Sequence, residues 1–120
     1  MDRGGLPDRI RPAMTFEAGE PHIHPWTSRL PPSEMALRRL LAEEGLTAYA
    51  WSNAPYEVYA PHTHDYNKVI CVVRGSITFQ LIELGSWYVL HPGDRLDLPA
   101  GAVHAAEVGA DGVLCLEAHR

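Results

Sequence analysis

Apolar positions in the first quarter of the chain follow no period. Residues 1–32 carry Pro7, Pro12, Pro21, Pro25, Pro31 and Pro32 between scattered charges. Proline removes a backbone donor and fixes φ, so this stretch is expected to be an extended arm. Phe16 and Trp26 are its apolar anchors, and the first dozen residues are expected to be mobile. A helical stripe follows over 33–45, where Leu37, Leu40 and Leu41 recur at helical spacing. Ser33 stands at the N-cap and Glu34 in the first turn suits the helix dipole. Glu34 and Arg38 are spaced for an i,i+4 ion pair, and Gly45 is placed to stop the helix. So short a helix is marginal alone and must dock its leucines on something.

From Leu46 the period becomes two. Segments 47–52, 55–60, 68–74, 76–83, 86–91, 95–98, 102–108 and 112–118 read as strands. They are separated by turn signals such as Arg74-Gly75, Leu84-Gly85, Pro92-Gly93 and Pro99-Ala100-Gly101. The pattern predicts an all-β sandwich or barrel over 46–120, with the helix of 33–45 packed on it. The run Val69 to Val73 is apolar on both faces. A sandwich needs only its inner face apolar, so Val69, Cys71 and Val73 require a cover: the helix, the arm or a second subunit. A subunit contact is the favoured expectation, which makes the protein a homodimer.

Composition narrows the picture without changing it. A chain of 120 residues is one ordinary domain. Its net charge of −5, with no basic stripe, argues against a nucleic-acid partner. No apolar run is long enough for a membrane span, and charges at Asp2, Arg3, Asp8, Arg9 and Arg11 do not suit a signal peptide. Cys71 and Cys115 are too few for a disulfide framework and read as reduced, buried residues, so a cytoplasmic location is expected.

Histidine carries the candidate chemistry. His62-Thr63-His64 follows a strand, and residues i and i+2 point to one face. Counting backward puts Tyr56, Val58 and Ala60 on that inner face, with Glu57, Tyr59 and Pro61 outside. His104 follows the turn Pro99-Ala100-Gly101. Imidazoles converging from separate strands make a site for Fe, Mn, Ni, Cu or Zn.

These residues resemble the two motifs of the cupin superfamily. His62, His64 and Gly75 fit the first, H-x-H-x(3)-E-x(6)-G; Gly93, Pro99, Gly101 and His104 fit the second, G-x(5)-P-x-G-x(2)-H. The resemblance covers about 46–118 and implies a small jelly-roll barrel in which His62, His64 and His104 correspond to metal ligands. It also exposes a departure: the family's glutamate ligand falls on Lys68. A protonated lysine donates and cannot coordinate a cation, so three neutral histidines would leave the centre more positive and more open. Lys68 either turns outward as a solvated lysine or faces inward and binds a substrate's negative charge. Tyr66 and Asn67, between two site positions, are candidates to hydrogen-bond a ligand, and Lys68 with Tyr66 is the expected catalytic pair.

His22-Ile23-His24 mimics the first motif but lies in the arm, and is expected to be at the surface. Cys71 reads as packing, and Tyr49, Trp51, Tyr59, Trp87 and Tyr88 as ordinary strand aromatics. The resemblance implies a metal-dependent enzyme on a small anionic or enolisable molecule, dioxygenase-like in the first instance. A metal-dependent isomerase or lyase, and a non-catalytic small-molecule-binding cupin, are the alternatives.

Overall fold

The computed structural model describes residues 20–120. Phe16 and the mobile first dozen residues of the sequence reading lie outside them. Two long strands, β4 (Lys68–Leu81) and β7 (His104–His119), pair antiparallel along their length. Every other strand except β1 pairs with one half of this ribbon. β6 (Arg95–Leu98) pairs with the first half of β4, and β1 (His22–His24) pairs with β6. β2 (Tyr49–Asn53) pairs with the second half of β7. β5 (Ser86–Leu90) takes the second half of β4, and β3 (Val58–His62) the first half of β7. The result is two antiparallel leaves, β1-β6-β4-β7-β2 and β5-β4-β7-β3, folded on each other as a jelly roll.

Sequence reasoning cut each long strand in two, at 74–76 and 108–112. The main chain instead bends there and continues. The β4–β7 register shifts between Val72 and Arg74 and again between Gly75 and Ile77. Gly75 has φ 78°, and a Cβ on it would overlap the carbonyl of Gly112 on the facing strand. The glycine at this point serves close backbone approach in a bend, where sequence reasoning placed a turn.

The helix, α1, spans Glu34–Glu43, with Ser33 Oγ accepting from Ala36 N at 3.1 Å. Gly45 at φ 76° lets Leu46 N reach back to Leu41 O at 3.0 Å, closing the C-terminus. Glu34 and Arg38 form the expected pair at 2.9 Å. Arg95 on β6 grips Glu44 at the helix end and also bonds Asp97 at 2.6 Å.

The helix supplies the cover that the sequence reading assigned to a second subunit. Val69, Cys71 and Val73 form one buried cluster with Leu37, Leu41, Leu46 and Leu116, with Trp26 packed at its margin. None of the three is more than 8% exposed within a single chain. That face therefore gives no reason to expect a homodimer. The inner faces of the leaves make the main core around Ile70, Ile77, Phe79, Leu96 and Val108. Burial pushes both thiols, Cys71 and Cys115, up to about 12, so they are packing groups. His22 and His24, expected at the surface of the arm, are instead paired in β1, and His24 Nε2 lies 3.2 Å from Asp97. No helix among the described residues is long and apolar enough to cross a membrane.

Candidate metal centre

At one end of the sandwich β3, the start of β4 and both ends of β7 converge on a cavity of about 320 Å³. His62 ends β3 and is cross-strand partner to His104, the first residue of β7. His64 lies in the following turn, tied down by Gly101 N donating to its carbonyl at 2.8 Å. Ala100 N donates to Asn67 Oδ1 at 2.9 Å. These two bonds join the loop carrying the first motif to the loop of the second. Asn67 Oδ1 is therefore occupied in holding the two loops together.

Among the described residues, His62, His64 and His104 bring one ring nitrogen each to within 4.8 Å of one another. Two of the rings are pre-set by the backbone. His62 Nδ1 donates to Ala60 O at 2.7 Å, and His104 Nδ1 donates to Ala102 O at 2.9 Å. Each bond fixes the tautomer and leaves the Nε2 lone pair free, as metal-ligating histidines require. Burial, aided by the neighbouring His62, Lys68 and His64 and opposed by the Ala102 bond, pushes His104 down to about 4. His64 is lowered by burial and then by the charge of Lys68. Both are therefore neutral near pH 7, the protonation state that metal ligation requires. His64 Nδ1 is buried without a hydrogen-bond partner. The donor set fits a transition metal.

Lys68 faces inward and lines the cavity. Its Nζ stands 3.4 Å from His64 Nε2 and 3.5 Å from Glu117 Oε2. Glu117 was not found by sequence reasoning. It is only 4% exposed, and Tyr49 OH at 2.7 Å and Trp51 Nε1 at 2.9 Å both donate to it. His119 Nε2 lies 2.7 Å from the same carboxylate. Burial alone would raise Glu117, but Tyr49, His119, Lys68 and Trp51 together hold it below the usual carboxylate range. The expected excess of positive charge is thus answered by a buried carboxylate on the neighbouring strand. A signal for it exists: Val113, Cys115 and Glu117 alternate onto one face, which places a charge on the apolar side of β7.

Tyr66 also lines the cavity, its ring 5.1 Å from His64 and 4.1 Å from His119. The backward count along β3 fails at a bulge. Tyr59 pairs with Ala106 and His62 with His104, so three steps on β3 match two on β7. Pro61 has no N–H to give the ladder, and the extra residue is accommodated beside it. The phase therefore flips: Tyr59 lines the cavity, whereas Val58, expected inside, is 70% exposed. Tyr49, Trp51 and Tyr59, read as ordinary aromatics, are cavity walls, and Ile70, Ile77 and Phe79 form its apolar part.

Comparison with known proteins agrees with the fold. The fold matches a DUF861 family protein from Thermotoga maritima with TM-score 0.57 and 19% identity, over 82% of this chain and 97% of that one. KdgF from Halomonas sp. matches with TM-score 0.53 and 25% identity, over 62% of this chain and 68% of that one. A chain from the structures of the DMSP lyases RdDddP and RnDddQII matches with TM-score 0.57 and 29% identity. That match covers 62% of this chain but only 38% of the lyase. No curated protein matches the sequence. The family model of the cupin domain matches residues 51–116, which hold all three histidines, Lys68 and Tyr66, and the chain belongs to the cupin domain family.

Proposed function

We propose that His62, His64 and His104 hold one divalent transition metal, and that the protein isomerises or cleaves a small anionic molecule bound beside it. The observation that carries this reading is the Lys68–Glu117 pair, which puts an ammonium group inside the cavity next to the histidines. When bound, the metal supplies Lewis-acid polarisation of a substrate oxygen. Lys68 binds the substrate's negative charge, and Glu117, anchored by Tyr49 and Trp51, holds Lys68 in place. The Tyr66 hydroxyl hydrogen-bonds the bound molecule and fixes its orientation. Ile70, Ile77 and Phe79 keep the inner wall dry, and the volume suits a small metabolite. Fixed charges and hydroxyls at the reacting centre serve proton-transfer chemistry, which ranks isomerisation or cleavage above the dioxygenase expectation. The relative at 29% identity that is named a lyase supports the same order.

Elemental analysis of untagged protein tests the metal: about one Fe, Mn, Ni, Cu or Zn per chain is expected, and His104→Ala loses it. Less than about a tenth of that, with no uptake on adding these ions, overturns the reading. A panel of small keto, hydroxy and β-substituted carboxylic acids is then followed by NMR under argon. Turnover without oxygen is expected. Turnover that consumes oxygen in step with product returns the assignment to a dioxygenase.

A further inference from the structure

The contact between Lys68 and His64 has a consequence for how the centre fills. A neutral imidazole has one lone pair and one N–H. In the geometry described, Lys68 Nζ donates to His64 Nε2, so that lone pair is taken and the proton sits on Nδ1. Neither nitrogen of His64 is then open to a cation. If a metal binds at Nε2, it displaces the lysine directly. If it binds at Nδ1, the proton moves to Nε2 and the lysine faces a donor. Either way Lys68 must release His64. Glu117 Oε2, already 3.5 Å from the ammonium, is the place for it to go.

Two further observations favour a device with two positions. The Lys68-bonded tautomer leaves His64 Nδ1–H buried with no acceptor, so the lysine's hold on the ring is imperfect and reversible. Glu117 is fixed independently of Lys68 by Tyr49, Trp51 and His119, so the receiving carboxylate is present in both states. By contrast, the backbone bonds of His62 and His104 leave their Nε2 atoms open throughout. His64 is thus the contested ligand of the three.

We propose that Lys68 competes with the metal for His64: the ammonium and the cation occupy the ring by turns, and Glu117 takes the ammonium when the metal binds. This rests on the three-histidine metal reading above. Lys68, paired with Glu117 and still lining the cavity, would then offer its charge to an anionic substrate. Metal and substrate anion should therefore bind cooperatively, each relieving the charge that the other meets.

Zinc affinity measured by competition with a chromophoric chelator tests the competition, because Zn(II) is spectroscopically silent and needs no turnover. Lys68→Met is expected to tighten Zn(II) binding by about tenfold or more, by removing both the competitor and a like charge. Lys68→Gln should do the same, which guards against a folding defect peculiar to one variant. Glu117→Gln is expected to weaken binding by about tenfold, because the displaced ammonium loses its counter-charge. A purely structural pair would lower thermal stability in both variants without moving zinc affinity in opposite directions. If His104→Ala abolishes zinc binding but both Lys68 variants match the wild type, the competition is refuted and the metal site stands. If His104→Ala binds zinc as tightly as the wild type, the metal reading itself has failed.

Discussion

The docking of α1 makes a quantitative prediction, because it decides what covers the outer face of the sandwich. Leu41 is 1% exposed and packs in one cluster with Val69, Cys71 and Leu116. Leu37 is the helix's only other fully buried residue, so Leu41→Ala removes about half of the apolar anchor. Truncating a buried leucine costs roughly 2–5 kcal/mol, depending on how far the surroundings collapse into the space. A surface helix can shift toward the sheet, which places the expected loss near the middle, at about 3 kcal/mol. For a domain of this size that is a fall in Tm of about 10–20 °C. Leu40, one residue away and 45% exposed, is the control: its alanine variant should stay within about 0.5 kcal/mol of the wild type. The assay is urea unfolding at two protein concentrations about a hundredfold apart. Cover within one chain predicts midpoints independent of concentration, with an unchanged slope. A wild-type midpoint that rises with concentration, while that of Leu41→Ala does not, would refute the assignment and restore a subunit contact on this face.

Other substitutions probe the frame around the site. Gly75→Ala combines a left-handed φ with a Cβ driven into the Gly112 carbonyl, and should cost about 3 kcal/mol or more, read as a loss of urea midpoint. Asp97 is 1% exposed; burial would raise it, but His24 and Arg95 outweigh burial and hold it below the usual carboxylate range. A carboxyl depressed by folding contributes stability that is complete above its unfolded value of about 4 and is lost as pH falls through the lower folded value. Asp97→Asn should therefore be less stable than the wild type at pH 7 by about 2 kcal/mol, with the gap closing toward pH 3. Parallel stability curves over that range would show that Asp97 carries no such linkage.

The histidine trio was legible from spacing: the H-x-H pair at 62 and 64, and the Gly93, Pro99, Gly101, His104 pattern of the turn before β7. The helix was legible from its cap, its leucine stripe and its terminal glycine. What escaped was whatever depends on a partner strand. The bulge beside Pro61 is a mismatch between β3 and β7, and no count along β3 alone reveals that Tyr59 turns inward. Gly75 has the same sequence signature in a hairpin turn as in a bend, and only the approach of Gly112 distinguishes them. Whether Lys68 faced inward or outward was undecidable until its neighbour was known. Glu117 stands opposite Ile70 across β4 and β7, forty-nine positions along the chain from Lys68. Reading its own strand's alternation would have found it buried, though not what it was buried against.

The sharing of β4 and β7 by both leaves has a dynamic consequence. In a sandwich of separate sheets, one leaf can loosen while the other holds, and its amides exchange with solvent through that partial opening. Here β4 and β7 are each covalently continuous from one leaf into the other, through the register shifts at Val72–Arg74 and Gly75–Ile77. Fraying can trim β1, β3 or β5 from the margins, but it cannot free the central ribbon piecemeal. The slowest amides of β4 and β7 should accordingly exchange with a single free energy, that of opening the whole barrel. His104 and Lys68 are the first residues of β7 and β4, so an opening of that ribbon would carry the site with it.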